Sequence, residues 1–153
     1  MRNQKKLLIE QLDRRTKPFE EAAKIDVPGK GWIHTVRKTL NMTLQQLGKR
    51  LDITSQGVRD MEERESSGSI SIKTLKEAGM ALEMQFVYGF IPLQESFDSM
   101  VNIKARKLAE KIILRTNQNM RLEDQGNSDS YIKNAIDELT IEIKRDLKRS
   151  IWD

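Results

Sequence analysis

Two short helical patterns that follow each other almost without a gap constrain this chain most strongly. The first pattern covers residues 43–51 and the second begins at Thr54, so only Asp52 and Ile53 separate them. The inward positions are apolar in both patterns: Leu44, Leu47 and Leu51 in the first, and Val58 and Met61 in the second. Because one helical turn takes about 3.6 residues, so short a gap forces a sharp turn between two short helices.

Individual residues in this stretch suit two helices that cross closely. Thr43 is a good N-cap for the first helix. Gly48 has no side chain and lies where the two helices are expected to approach each other. Asp52 occupies a turn position where a short polar side chain tolerates unusual backbone angles. We expect a small core to lock the turn, formed by Leu47, Ile53 and Val58.

The same periodicity predicts which polar residues point outward. On the second helix these are Thr54, Ser55 and Gln56 at its start, then Arg59 and Asp60 one turn later. Glutamine pairs with adenine and arginine with guanine in the major groove of DNA, each with two hydrogen bonds. We expect Gln45, Gln46 and Lys49 of the first helix to meet the phosphate backbone, which fixes register without reading sequence.

Residues 32–82 resemble the lambda-repressor-like helix-turn-helix family. Four positions of the motif fall in register, namely Gly48, Ile53, Val58 and Glu62. The resemblance implies that the second helix is a recognition helix. Gly57 departs from the usual small polar residue and weakens that helix by roughly 0.5–1 kcal/mol. The alternative is a generic helical bundle in which the short helix after Ile53 merely packs.

Helical periodicity covers most of the remaining chain and predicts a mainly α fold. We predict further helices over residues 4–15, from Trp32 to about Asn41, from the N-cap Ser71 to Leu82, over 93–122 and over 130–150. Residues 84–91 are rich in aromatic and β-branched types, which predicts one short β-strand that Pro92 ends. The predicted domains are an N-terminal helix and connector (1–30), a helix-turn-helix domain with the following strand (31–92) and a C-terminal helical region (93–153).

Composition excludes several kinds of protein. Cysteine is absent, so no disulfide or thiolate metal site can form, and we predict no metal and no cofactor. The single histidine, His34, is interpreted as a surface residue or one facing a helix cap, without chemistry. No phosphate loop, paired catalytic carboxylates or activated nucleophile is recognisable, so we predict that the chain is not an enzyme. No apolar run approaches the roughly 18 residues of a membrane span. Because cysteine is absent, a reducing cytoplasm is the simplest compartment, and we predict a cytoplasmic protein.

Charge is unevenly distributed along the chain. Residues 1–50 hold 12 Lys and Arg against 5 Asp and Glu, a net charge of +7, and the remaining residues carry −3. Such asymmetry is typical of proteins that bind nucleic acid, although a solvated lysine-rich face is the common alternative.

A second resemblance covers nearly the whole chain. It rests on Gly31-Trp32, the Val87-Tyr88 run ending in Pro92, the segment Met120-Arg-Leu-Glu-Asp-Gln125 and the final Trp152-Asp153. Together these residues resemble the mobile mystery protein A family. The resemblance implies a bacterial protein of a mobile element, encoded beside a Fic-domain toxin and acting as its antitoxin.

Fic enzymes transfer AMP from ATP to hydroxyl groups, and their inhibitors resemble one another in a helix with the pattern Ser/Thr-x-x-x-Glu-Gly/Asn. The resemblance implies that Asn119 and Glu123 inhibit the toxin, although Asn119 replaces the hydroxyl residue and Asp124 the glycine or asparagine. A carboxylate can accept both N–H groups of an arginine fork and so compete with ATP phosphate. Residues 16–20 are a poorer match, because Pro18 strains a helix interior.

The expected assembly is a homodimer on a palindromic double-stranded DNA operator, with recognition helices about 34–36 Å apart. Such a protein is a nucleoid-associated repressor that regulates its own toxin-antitoxin operon. Two alternatives stay open: a stand-alone regulator without a toxin partner, and a pure toxin-inhibiting interaction protein whose helix-turn-helix is vestigial. Operator footprinting distinguishes the last alternative from the others.

Overall fold

A computed structural model describes the backbone of residues 2–122 and 128–153 and the side chains of residues 4–119 and 128–153. The described helices, in chain order, are α1 (Arg2–Thr16), α2 (Phe19–Ala22), α3 (Trp32–Thr39), α4 (Leu44–Leu51), α5 (Ser55–Ser67), α6 (Ile72–Ala81), α7 (Phe97–Leu122), α8 (Asp129–Asp146) and a 3-10 helix (Arg149–Trp152). The predicted mainly helical character is confirmed. None of the described helices combines the length and apolarity needed to cross a membrane.

The chain forms two units rather than the three predicted segments. Unit 1 consists of residues 1–22 and 90–153, and unit 2 consists of residues 23–89. The N-terminal helix belongs to unit 1 because α1 packs on α7 and α8. The Asp13 carboxylate accepts hydrogen bonds from the backbone N–H groups of Phe97, at 2.7 Å, and Asp98, at 3.3 Å. Asp13 thereby caps the first turn of α7, where four N–H groups lack a partner within the helix.

Small side chains allow α7 and α8 to pack closely in unit 1. The buried core consists of Val101, Ala105, Ala109, Ile132, Ile136, Ile143 and Ile151. Ile9 of α1 packs against this core, whereas Leu7, Leu8 and Leu12 remain exposed. The helix predicted over residues 4–15 is therefore confirmed, but these three leucines are not core residues.

Unit 2 has its own hydrophobic core, made by four successive helices. Its buried members are Ile33 of α3, Leu47 of α4, Val58 and Met61 of α5, Ala78 of α6 and Leu82 directly after α6. The predicted N-cap Ser71 is confirmed, because its hydroxyl accepts a hydrogen bond from the Thr74 N–H at 3.1 Å. This core fixes α4 and α5, which carry most of the predicted site residues.

The predicted β-strand at residues 84–91 is wrong. That segment has no regular secondary structure, and the described part of the chain contains no strand with which it could pair. Its start is bound to α6, since the Met84 N–H donates to the Gly79 carbonyl at 2.8 Å. A Cβ at Gly79 would lie 3.2 Å from the Met84 carbonyl oxygen, so the segment approaches α6 closely. Aromatic and β-branched residues favour a strand only where a neighbouring strand completes the hydrogen bonds.

Candidate nucleic-acid interface

A tight turn of residues 52–54 joins α4 to α5. Asp52 adopts the left-handed conformation with φ 55°, which ends α4 and reverses the chain. The Ile53 N–H then donates to the Gly48 carbonyl at 2.9 Å. A Cβ built at Gly48 would lie 2.6 Å from the Ile53 carbonyl oxygen, a distance that real Cβ atoms do not reach. Glycine is therefore required where α4 meets the turn. The sequence predicts a close approach at Gly48, but between the two helices rather than against the turn backbone.

Side chains satisfy the first N–H groups of both helices in this pair. The Thr43 hydroxyl accepts from the Gln46 N–H at 3.1 Å, and the Gln46 side-chain oxygen accepts from the Thr43 N–H at 2.9 Å. This reciprocal pair is a capping box, which confirms Thr43 as the N-cap of α4. The Thr54 hydroxyl caps α5 by accepting from the Gly57 N–H at 3.0 Å. The start of each helix is thus fixed by its own sequence.

The packing behind the turn differs in one residue from the sequence prediction. Leu47 and Val58 have no exposed surface, as predicted. Ile53 is 42% exposed and does not belong to the buried core. Its side chain lies beside the helix start instead, where a Cβ at Gly57 would meet the Ile53 Cβ at 3.4 Å. Gly57 therefore leaves room for the Ile53 side chain beside the first turn of α5.

A buried ionic cluster connects α3 to α5. Arg37 and Glu62 are 6% and 7% exposed, and the Arg37 guanidinium donates to both Glu62 oxygens. A third donor of the same guanidinium reaches the Met42 carbonyl at 2.9 Å. His34 Nδ1 lies 3.0 Å from Glu62 Oε2, so the interpretation of His34 as a surface or cap-facing residue is wrong. The cluster fixes the orientation of α5 against α3.

The electrostatics of Glu62 follow from these neighbours. Burial alone raises the pKa of a carboxyl group, because it disfavours the charged form. Hydrogen bonds and charge from Arg37 and His34 outweigh burial and hold the pKa of Glu62 below its ordinary value. Glu62 is therefore ionised at neutral pH and balances the buried Arg37 charge. The sequence placed Glu62 in register, but the pairing depends on the distance between two helices that a single sequence does not give.

Two further contacts anchor the helices around α4 and α5. The Glu65 carboxylate of α5 accepts from the Trp32 and Ile33 N–H groups, both at 2.8 Å, and so caps α3. Gly31 has φ 86°, and a Cβ there would lie 2.8 Å from the Glu65 carboxyl carbon. Arg50 of α4 donates to the Ala81 carbonyl at the end of α6 at 3.1 Å. These long-range caps have no local sequence signal.

The predicted DNA-contacting residues differ in their exposure and in their side-chain hydrogen bonds. Six are exposed. Within the described part of the chain, Gln45, Lys49, Ser55 and Arg59 make no side-chain hydrogen bond or ion pair, and Thr54 and Gln46 only cap helices. Gln56 is also exposed, and its Nε2 donates to Asp60 Oδ1 at 2.9 Å. Asp60 is half-buried. All eight lie on α4, on α5 or at the N-cap of α5.

The predicted toxin-inhibiting residues belong to α7 and the segment after it. Asn119 is exposed in the last turns of α7. Glu123 lies outside the described residues. The poorer match at residues 16–20 does not form one helix, because α1 ends at Thr16 and α2 begins at Phe19.

Comparison with known proteins gives no match, whether with family models, with curated proteins or with solved structures.

Proposed function

We propose that the chain is a bacterial sequence-specific DNA-binding protein in which α4 and α5 form a lambda-repressor-like helix-turn-helix. One observation carries the proposal. The turn between α4 and α5 is locked by Gly48 and Asp52 while the first turn of α5 exposes only polar side chains. A helix whose inner side is fixed and whose first turn is polar and uncovered suits insertion into a major groove.

Different residues of the pair supply affinity and specificity. Gln45, Gln46 and Lys49 on α4 bind phosphate oxygens, assisted by N–H groups of the helix start. On α5, Arg59 pairs with a guanine base of the DNA. Thr54 and Ser55 bind either base edges or phosphate.

Gln56 and Asp60 act together in this interface. The hydrogen bond to Asp60 uses one N–H of the Gln56 amide and leaves its second N–H and its oxygen to pair with adenine. Asp60 is thus a positioning residue for Gln56.

The proposed assembly is a homodimer on a palindromic operator. Two recognition helices spaced about 34–36 Å apart would read half-sites one turn of DNA apart. We propose that the dimer represses its own operon in the cytoplasm, at the nucleoid.

Substitution of one base-reading and one phosphate-binding residue tests the proposal. Arg59→Ala is expected to relax the sequence preference by about 1–3 kcal/mol at one base pair, because a bidentate contact is lost. Lys49→Ala is expected to weaken binding to all sequences and to lower the slope of log K against log salt by about 0.9, because one phosphate contact is lost. Both effects are measured by fluorescence anisotropy on duplexes selected from a random library.

Lys133→Ala in α8 is the matched control for charge, since Lys133 is exposed and lies in unit 1. It should leave preference and slope unchanged. A parent protein that selects no sequence from the library, or an Arg59→Ala Lys49→Ala double variant that binds as the parent does, would contradict the proposal.

The proposed protein partner is a Fic-type toxin, which the resemblance of nearly the whole chain to the mobile mystery protein A family implies, and residues 119–124 carry the proposed inhibitory pattern. Glu123→Gly is expected to release AMP transfer by that toxin without breaking the complex. Unchanged inhibition removes Glu123 from the inhibitory site. A chain that inhibits the toxin but leaves no operator footprint is a pure interaction protein, and one that footprints without binding any toxin is a stand-alone regulator.

A further inference from the structure

Four cationic side chains lie along one outer face of α7. This α7 basic stripe consists of Lys104, Lys107, Lys111 and Arg115. Spacings of three and four residues place them on one side of the helix, over about 16 Å at a rise of 1.5 Å per residue. All four are exposed, whereas Val101, Ala105 and Ala109 of the same helix point into the core of unit 1.

The acidic side chains of α7 do not neutralise this stripe. Asp98 binds Lys144 of α8 at 2.8 Å, and Glu110 binds Arg106 at 3.3 Å. Arg106 also binds Asp137 of α8 at 2.8 Å. Within the described residues, no hydrogen bond or ion pair involves the side chain of any stripe residue. The carboxylates of α7 are used in other pairs, and the charge on its outer face stays uncompensated.

Where opposite charges alternate on a helix surface, residues four apart form pairs such as Arg106 with Glu110. The stripe has no such alternation, because four like charges follow one another on one face. Like charges at this spacing repel each other and destabilise the helix slightly. A polyanion removes that repulsion.

We propose that the α7 basic stripe binds the phosphate backbone of double-stranded DNA. The inference rests on the proposed function, in which unit 2 reads a duplex. Lysine ammonium groups are flexible point charges that bind phosphate without selecting bases, so the stripe adds affinity and α5 keeps the specificity. Since both units belong to one chain, DNA bound by unit 2 is present at high effective concentration for unit 1.

A charge-neutral stripe tests this inference on the full chain. The variant carries Lys104→Gln, Lys107→Gln, Lys111→Gln and Arg115→Gln, and glutamine is a good helix former, which circular dichroism verifies. Each lost phosphate contact lowers the salt slope by about 0.9, so the slope is expected to fall by about 3–4 with the sequence preference unchanged. The measurement is anisotropy of a labelled duplex across a salt series.

A matched control removes the same charge from other exposed positions of unit 1, with Lys17→Gln, Lys133→Gln, Lys148→Gln and Arg149→Gln. Its slope should stay within about 1 of the parent slope, as expected when few of its cations contact phosphate. Equal slopes for the stripe variant and this control overturn the inference, because the effect is then one of total charge.

Two further experiments would show whether the α7 basic stripe binds something other than DNA. If polyglutamate binds the parent as tightly as the duplex does, and the stripe variant loses that binding, the stripe binds an acidic protein and the inference is overturned. If the stripe variant becomes monomeric in sedimentation while its salt slope stays unchanged, the stripe binds a second copy, and the inference is likewise overturned.

The two proposals fail differently. If the parent shows no sequence preference while the stripe variant has a smaller salt slope, the result supports phosphate binding by the α7 basic stripe and rejects sequence-specific reading by α5. If the parent selects a sequence and the stripe variant keeps the parent's salt slope, sequence reading by α5 is supported and phosphate binding by the stripe is rejected.

Discussion

Gly48 shows how one residue determines the geometry of a helix pair. The backbone of Ile53 occupies the space that any side chain at position 48 would need. Alanine is a better helix former than glycine by about 1 kcal/mol, but a carbonyl oxygen of the turn cannot give way as the end of a flexible side chain can. The close approach therefore outweighs helix propensity at this position.

Gly48→Ala is expected to lower the free energy of unfolding by about 1–3 kcal/mol, because the added methyl overpacks the turn. Urea denaturation measures the change. Gly29→Ala is the matched control, since nothing lies within 4 Å of a Cβ at Gly29. Equal stability of the two variants would mean that α4 and the turn do not meet as described.

Glu62 matters through the charge that it balances. Glu62→Gln leaves the buried Arg37 guanidinium without a carboxylate, which is expected to cost about 3 kcal/mol at pH 7. The pKa of Glu62 is lowered in the folded state, so its contribution is complete above the ordinary glutamate value of 4.5 and is lost as the pH falls through the lower folded pKa. The stability difference between parent and variant should therefore shrink as the pH falls below 4.5 and through the folded pKa.

The measurement is the free energy of unfolding at several pH values. Glu63→Gln is the control, because Glu63 is exposed and adjacent in sequence. It should match the parent at every pH. A Glu62→Gln difference that does not change with pH would contradict the assignment of the effect to the Glu62 charge.

Local sequence signals predicted the helices and the caps that bond within their own first turn, whereas features that depend on contacts between distant residues were not predicted. The capping residues Thr43 and Ser71 were predictable because a cap bonds within its own first turn. The cap of α3 was not predictable, because Glu65 lies 32 residues or more along the chain from the N–H groups that donate to it. The failed strand at residues 84–91 has the same cause, since strand formation depends on a partner elsewhere in the chain.

Glu65→Ala is expected to destabilise the start of α3 by about 1–2 kcal/mol, because the N–H groups of Trp32 and Ile33 lose their acceptor. Amide hydrogen exchange at Trp32 and Ile33 should become faster, while exchange in α6 stays unchanged. Glu77→Ala on α6 is a control of the same kind, as Glu77 is exposed. Unchanged protection of the two amides would show that α3 does not depend on this cap.

For the candidate site, the sequence predicted the exposed polar residues of α4 and α5 better than the contacts that hold them. Exposure follows from helical periodicity, so Ser55 and Arg59 lie outward as expected. The exposed position of Ile53 and the Gln56–Asp60 bond depend on the exact turn, which periodicity does not determine.

The chain consists of two units, and we propose that only unit 2 reads DNA sequence. Unit 2 is one continuous stretch with its own core, and unit 1 brings α1 together with α7 and α8. The proposals assign sequence reading to α5 in unit 2 and backbone affinity to the α7 basic stripe in unit 1. Specificity and salt dependence are therefore expected to be separable by mutation within one protein.

Nuclear magnetic resonance of the full chain, titrated with its selected duplex, tests the central claim most directly. The account predicts that the largest shifts and the strongest line broadening occur at Thr54, Ser55, Gln56 and Arg59, with weaker effects at the start of α4. Shifts that leave the first turn of α5 unaffected while the duplex is bound specifically would contradict it.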